Sequence, residues 1–317
     1  DKKDWAGAEL AVNELKLLPN GALAAQMLFG MIAENRGQQL EAIQIYKEVL
    51  SKQPDSNGAL NAIARSYSGL GENQKFIAFL RGFIKQNPKN IFAYNILGQA
   101  LGFEKDWENA RVVLQQALDS EPRFSPTYSL LAGVLTQLGE TREVEGLYQA
   151  GLDVVPDNAQ LMLELAKYYE RNRDFVKAIT KYEALIEKYP DNVDAINNLA
   201  FLLVESASDK AIINKAVALV EKVKGSPNPY FQDTYGWVMF KAGEVDKAIE
   251  VLRYAVSVVP KNAVFHYHLG EGYYASGASE LAKAELETSV ELAKKQGSFD
   301  GMDRARLLLK EISTSTS

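Results

Sequence analysis

The chain has 317 residues, 47% of them hydrophobic, a net charge of −6 and no cysteine. That is ample apolar content for a buried core; it excludes disulfides, thiolate catalysis and cysteine-ligated metal, and it offers no basic field for nucleic acid. No apolar run is long enough to span a membrane. Prolines 54, 88, 122, 156 and 190 are spaced 34 residues apart, each closing one amphipathic segment and opening the next. Before the first full unit, residues 1–22 read as a lone second helix of a truncated repeat, and DKKDWAGAEL has neither an initiator Met nor a signal-like apolar core. Trp5, Ala8, Val12 and Leu15 recur there at helical spacing without the helix they would pack on, so upstream repeats or self-association through this N-terminal face are expected.

The full units span 23–56, 57–90, 91–124, 125–158, 159–192, 193–228, 229–262 and 263–296. Position seven is a large apolar residue and position eight is Gly or Ala throughout, as in Leu97-Gly98 and Leu199-Ala200. Position twenty is mostly Ala, as in Ala42, Ala110 and Ala178. Each unit therefore reads as two helices, parted by a break such as Leu138-Gly139-Glu140 and ended by proline. In the unit from Val193 the alanine falls at Ala216 rather than 212, an addition of four residues. Ser206 to Asp209 favour a longer turn there, with Ser208 or Asp209 as N-cap. Phe299, Met302, Ala305, Leu309 and Ile312 form the apolar side of a capping helix over 299–312, and the polar tail 313–317 reads as disordered.

The segment YNILGQALGFEKDWENARVVLQQALDSEP, Tyr94 to Pro122, resembles the tetratricopeptide repeat, whose helix-turn-helix pattern it matches at most offsets. The resemblance covers nearly the whole chain and implies an all-α fold, a right-handed superhelical solenoid of antiparallel helix pairs with a C-terminal capping helix and no separate domains. NNLAFLLVESASDKAIINKAVALVEKV, NPYFQDTYGWVMFKAGEVDKAIEVL and FHYHLGEGYYASGASELAKAELE look like the C-terminal repeats of bacterial tetratricopeptide proteins, among them lipoproteins of exopolysaccharide export and protein sorting. That likeness implies a periplasmic or envelope location, with the cytoplasm as the alternative.

No catalytic, metal or cofactor motif is found, and no enzyme is expected. His266 and His268 point about 200° apart on a helix and cannot share a metal as an i,i+4 pair can; His266 falls at a packing position. Gly270-Glu271-Gly272 with Ala275 imitates a dinucleotide fingerprint but has no strand before it. The resemblance instead makes positions five, nine and twelve of each first helix a ligand-facing stripe, binding a protein or peptide segment. Those positions carry Asn61, Arg65, Asn95, Gln99, Lys167, Asn197, Phe201, Asp233, Trp237, Phe240, Tyr267, Glu271 and Tyr274. Amides and arginine suit an extended backbone. Phe201, Trp237, Phe240 and Tyr267, if exposed and coplanar, would suit a secreted polysaccharide; if buried, they would not. No fifth position carries the lysine that a chaperone-tail clamp needs.

Overall fold

The computed structural model describes residues 4–206 and 209–315, and among them it contains α-helices and no strand. The chain divides into two compact units, residues 1–161 and 162–317. The 34-residue period runs through this boundary without a break, so the division does not show in the repeat pattern.

The first unit holds α1 (Trp5–Lys16), α2 (Gly21–Asn35), α3 (Gln39–Lys52), α4 (Asn57–Leu70), α5 (Asn73–Gln86), α6 (Ile91–Phe103), α7 (Trp107–Ser120), α8 (Pro126–Gln137) and α9 (Thr141–Val154). The boundary falls within the first turn of α10 (Ala159–Arg171). The second unit continues with α11 (Phe175–Lys188), α12 (Val193–Ser206), α13 (Lys210–Val220), α14 (Pro229–Lys241), α15 (Val245–Val258), α16 (Ala263–Ala275), α17 (Ser279–Gln296) and α18 (Met302–Ser315).

Why the helices pair is written in two positions. The alanine at position twenty is fully buried in Ala42, Ala110, Ala178, Ala248 and Ala282, where a larger side chain would push the two helices of a unit apart. Opposite it, a Cβ added at Gly98 would lie 2.6 Å from Leu114 and one added at Gly236 would lie 2.7 Å from Leu252. The second helix thus rests directly on the backbone of the first.

The turn between paired helices repeats as well. Gly71, Gly139, Gly243 and Gly277 sit there with positive φ, and the next residue's N–H closes the helix by bonding back, as Glu72 does to the Tyr67 carbonyl at 3.0 Å. Lys105 and Arg173 occupy the same place with φ of 60° and 58°. A side chain in this left-handed conformation costs about 1 kcal/mol or more, which glycine avoids.

Three sequence expectations change. The four residues added near Ser206 do not simply lengthen a turn. Ala216 is the seventh residue of α13, whereas Ala178 is the fourth of α11, so most of the addition forms an extra turn at the start of α13. Asp209 caps that turn, accepting from the Ala211 and Ile212 N–H groups at 2.7 and 3.4 Å; Ser208 lies outside the described residues. At the other end, 313–315 belong to α18 rather than to a disordered tail, and 316–317 lie outside the described residues. On α1, the face expected to be bare is covered: Val12 is buried, Trp5, Ala8 and Leu15 are half-buried, and Arg36 at the end of α2 reaches the Trp5 ring and the Glu9 carboxylate. The large apolar residues that α1 and its end expose are Leu10, Leu17 and Leu18.

Candidate interaction faces of the first helices

In the first unit the stripe residues divide between open and engaged. Asn61 on α4 and Gln99 on α6 are exposed. Arg65 is exposed too, but its guanidinium makes a forked pair with Glu34 of α2, Nε and Nη2 each donating at 3.1 Å. Glu34 also accepts from the Tyr46 hydroxyl, and burial together with that carboxylate pushes the Tyr46 pKa up. Asn95 is not on the surface: it is 3% exposed and accepts from Thr127 Oγ1 of α8 at 2.9 Å. Beside Gln99 lies a cavity of about 450 Å³ lined by Ala64, Ser68, Phe76, Ile96 and Phe103. Phe103 is 79% exposed. Sequence reasoning passed over it because it lies one step beyond position twelve, although a phenylalanine ending a helix before a polar turn was a readable signal.

In the second unit most of the stripe is buried. Trp237 of α14 is only 2% exposed. Its ring stacks on His268 with centroids 4.0 Å apart and on Phe240 at 5.1 Å, both at an interplanar angle of 16°. Its Nε1–H donates to Glu205 of α12 at 2.8 Å, and Lys241 lies over the ring and 3.6 Å from the same carboxylate. Asp233, one turn earlier, is buried and accepts from His268 Nδ1 at 2.9 and 3.0 Å. Buried polar groups persist when they find such partners, and here each is found one repeat away.

The same logic continues to the end. Tyr267 is buried; its hydroxyl donates to Glu271 at 3.0 Å, and burial with that neighbour raises its pKa. Glu271, also buried, pairs with Arg304 of α18 at 3.2 Å. Tyr274 is half-buried and donates to Glu311 of α18 at 2.9 Å. Phe299 packs on Tyr267 at 5.4 Å, and a Cβ at Gly301 would strike the same ring at 2.2 Å. α18 is therefore bonded at two stripe positions of α16, Glu271 and Tyr274, while the link before it packs on the third, Tyr267. His266, off the stripe, is held by Glu285 through Nδ1 and by the Pro260 carbonyl through Nε2. Burial works against its charged form, but these two acceptors outweigh it and the pKa is raised.

Asn95, Asp233, Trp237, Tyr267 and Glu271 thus serve contacts from the first helix of one repeat to the next, or to the segment that caps the last, correcting their assignment as ligand-facing. Phe201, Trp237, Phe240 and Tyr267 do not form an exposed aromatic platform: two are buried and two half-buried. Besides Phe240 and Tyr274, what stays partly accessible is Lys167, 3.7 Å from Glu164, with Asn197 and Phe201. Asn197 donates to Asn198 at 3.3 Å, and among the described residues its Oδ1 finds no partner. Asn198 in turn donates to the Tyr182 hydroxyl, which donates to Glu170 at 2.6 Å.

Phe201 opens on a cavity of about 370 Å³ shared with Phe175, Leu202, Arg171 and Arg173. Its far rim is Asp300, which pairs with Arg173 across 127 residues of sequence. Neither Arg173 nor Asp300 was singled out from the sequence. The signal for the first was an arginine standing where other units place glycine.

Among the described residues no cluster of three or more His, Asp or Glu side chains is arranged to hold a metal, and no helix is long and apolar enough to cross a membrane. Gly270 to Gly272 lie inside α16, so no phosphate-binding turn forms there.

Models of the tetratricopeptide repeat match residues 24–56 and 129–193. The chain is 23% identical over 179 residues to the human protein O-mannosyl-transferase TMTC1, a match taking in 55% of this chain and 20% of that protein. It is 26% identical over 250 residues to the Arabidopsis thaliana protein CTR9 homolog, covering 75% of this chain and 22% of that one. The chain therefore spans about a fifth of the length of these curated relatives. Among solved structures, the anaphase-promoting complex hetero-tetramer Cut9–Hcn1 superposes with a TM-score of 0.60 at 15% identity, over 96% of this chain and 58% of that chain. The period, the helix pairs with their glycine turns and these likenesses lead to one conclusion: the chain carries tetratricopeptide repeats in an all-α solenoid fold.

Proposed function

We propose that the protein is a noncatalytic scaffold whose repeats bind a segment of a partner protein on and beside the exposed parts of the first-helix stripe. The observation that carries this reading is Phe103, 79% exposed beside Gln99 and a cavity of about 450 Å³. An exposed aromatic next to an apolar hollow and an amide is what a peptide anchor needs: area for a side chain and a donor and acceptor for its backbone. A bacterial envelope or polysaccharide-export setting is supported by the resemblance of the three C-terminal segments quoted above. The transferase activity in one relative's name belongs to that protein, of which this chain spans 20%.

Site-specific photocrosslinking tests the reading. A photoreactive residue at Asn61, Gln99 or Phe201 should capture one defined protein in native cells, and the same residue at the outward Val112 or Val176 should not. Capture of the same proteins at equal yield from both sets of positions would overturn it, and fractionating the cells that hold the crosslink tests the envelope setting.

A further inference from the structure

The cavity at Phe201 has an apolar floor and an unusual rim. Phe175, Phe201 and Leu202 form the floor. Of the carboxylates around it, Glu170 is engaged by the Tyr182 hydroxyl and Glu205 by Trp237 and Lys241. The cations are placed differently. Arg171 is exposed on the rim, and Arg173 is held in the left-handed turn conformation where Gly71, Gly139, Gly243 and Gly277 stand in other units. Backbone strain of this kind persists where the surroundings or a function maintain it.

The bond that Arg173 makes is to Asp300, in the link between α17 and α18, and both side chains are exposed, 68% and 70%. An exposed ion pair contributes little to stability because water screens it and two long side chains must be ordered. It is therefore exchangeable: a carboxylate brought by another chain competes for the guanidinium on nearly equal terms. The residue in place is itself instructive, an internal aspartate directly after Phe299.

From this geometry we infer that Asp300 is a built-in stand-in for a ligand carboxylate. The cavity takes a partner segment in which an aspartate or glutamate side chain adjoins a bulky apolar residue. The carboxylate displaces Asp300 from Arg173, with Arg171 adding a second positive charge, and the apolar side chain settles on Phe201, Phe175 and Leu202. The inference rests on the scaffold reading and gives its second-unit face a specific partner chemistry. It also gives the two members of one ion pair opposite roles: Arg173 belongs to the site and Asp300 competes for it.

The test is a selection of random dodecapeptides on the full chain, followed by fluorescence polarisation with the retained peptides. These should carry Asp or Glu beside Phe, Leu, Ile or Met, and exchanging that acid for its amide should weaken binding about tenfold, as expected for loss of a charge-assisted bond. Asp300→Asn should tighten binding about two- to fivefold, the equivalent of releasing an exposed ion pair. Arg173→Gly should abolish the preference for acid, and glycine suits the φ of 58°, so the variant keeps its fold. A pair that only holds the cavity in shape would make both variants weaker, and that result overturns the inference, as does a retained set with no acidic preference. If no dodecapeptide is retained, or if binding is indifferent to Phe201→Ala, the scaffold reading of this face falls with it.

Discussion

Position nine of the first helix is exposed in the first unit and progressively covered in the second. Arg65 and Gln99 face solvent, Phe201 is half-buried, and Trp237 and Glu271 are buried at 2% and 7% exposure. The backbone pattern is the same in each case, so the difference comes from what the neighbouring helices contribute. On Trp237 stacks His268 of α16, with Phe240 of its own helix on it as well, and Glu205 of α12 accepts its only polar hydrogen. On the α4 side of Gln99 the cavity is lined by Ala64 and Ser68, and Gln99 stays exposed. A stripe that register assigns to ligand binding becomes core wherever adjacent units place rings and paired polar groups against it.

The sharpest way to break this comparison is to truncate both members. Trp237→Ala should destabilise the protein by about 3–5 kcal/mol, the cost of removing a large buried ring, whereas Gln99→Ala should stay within about 0.5 kcal/mol. Urea unfolding followed by circular dichroism measures both, and equal effects would mean that Trp237 is not core. Next in size, Asp233→Ala leaves the buried His268 without its acceptor and should cost about 2–3 kcal/mol. The equivalent change at Asn61, which is exposed, should be nearly neutral.

A smaller and opposite effect is expected at the turns. Lys105→Gly relieves a left-handed side chain and should stabilise the first unit by about 1 kcal/mol, read as a higher urea midpoint at unchanged slope. The smallest effect concerns pH. Both histidines of the chain lie in the second unit, and the His266 pKa is raised in the folded state by Glu285 and the Pro260 carbonyl. Its stabilisation is therefore fully present below the unfolded histidine value of about 6.5 and is lost as pH rises through the folded value. Amide hydrogen exchange in α16 should accelerate over that window, beyond the intrinsic rate, and His266→Gln should flatten the response while α4 shows none.

The helix starts were legible because they rest on local chemistry: proline ends a helix, and small residues at positions eight and twenty let two helices meet. The contents of the faces were not legible, because their partners sit about one period away. Trp237 with Glu205, Asp233 with His268, Asn95 with Thr127 and Glu271 with Arg304 are each 32 to 35 residues apart. Reading only i,i+4 neighbours, as was done for the two histidines, misses every one of these pairs. The added turn of α13 escaped for another reason: Ser206 to Asp209 have strong turn and cap preferences, and Asp209 satisfies them with a cap at the very start of a lengthened helix.

These one-period bonds also bear on how the second unit comes apart. Glu205 to Trp237, Asp233 to His268 and Glu271 to Arg304 run in succession, tying α12 to α14, α14 to α16 and α16 to α18. In a one-dimensional stack, the strength of such nearest-neighbour links sets how sharply the whole melts. Cutting the middle link with Asp233→Ala divides a single cooperative block into two, and the signature would be a denaturation curve broadened into two steps as well as shifted to lower denaturant.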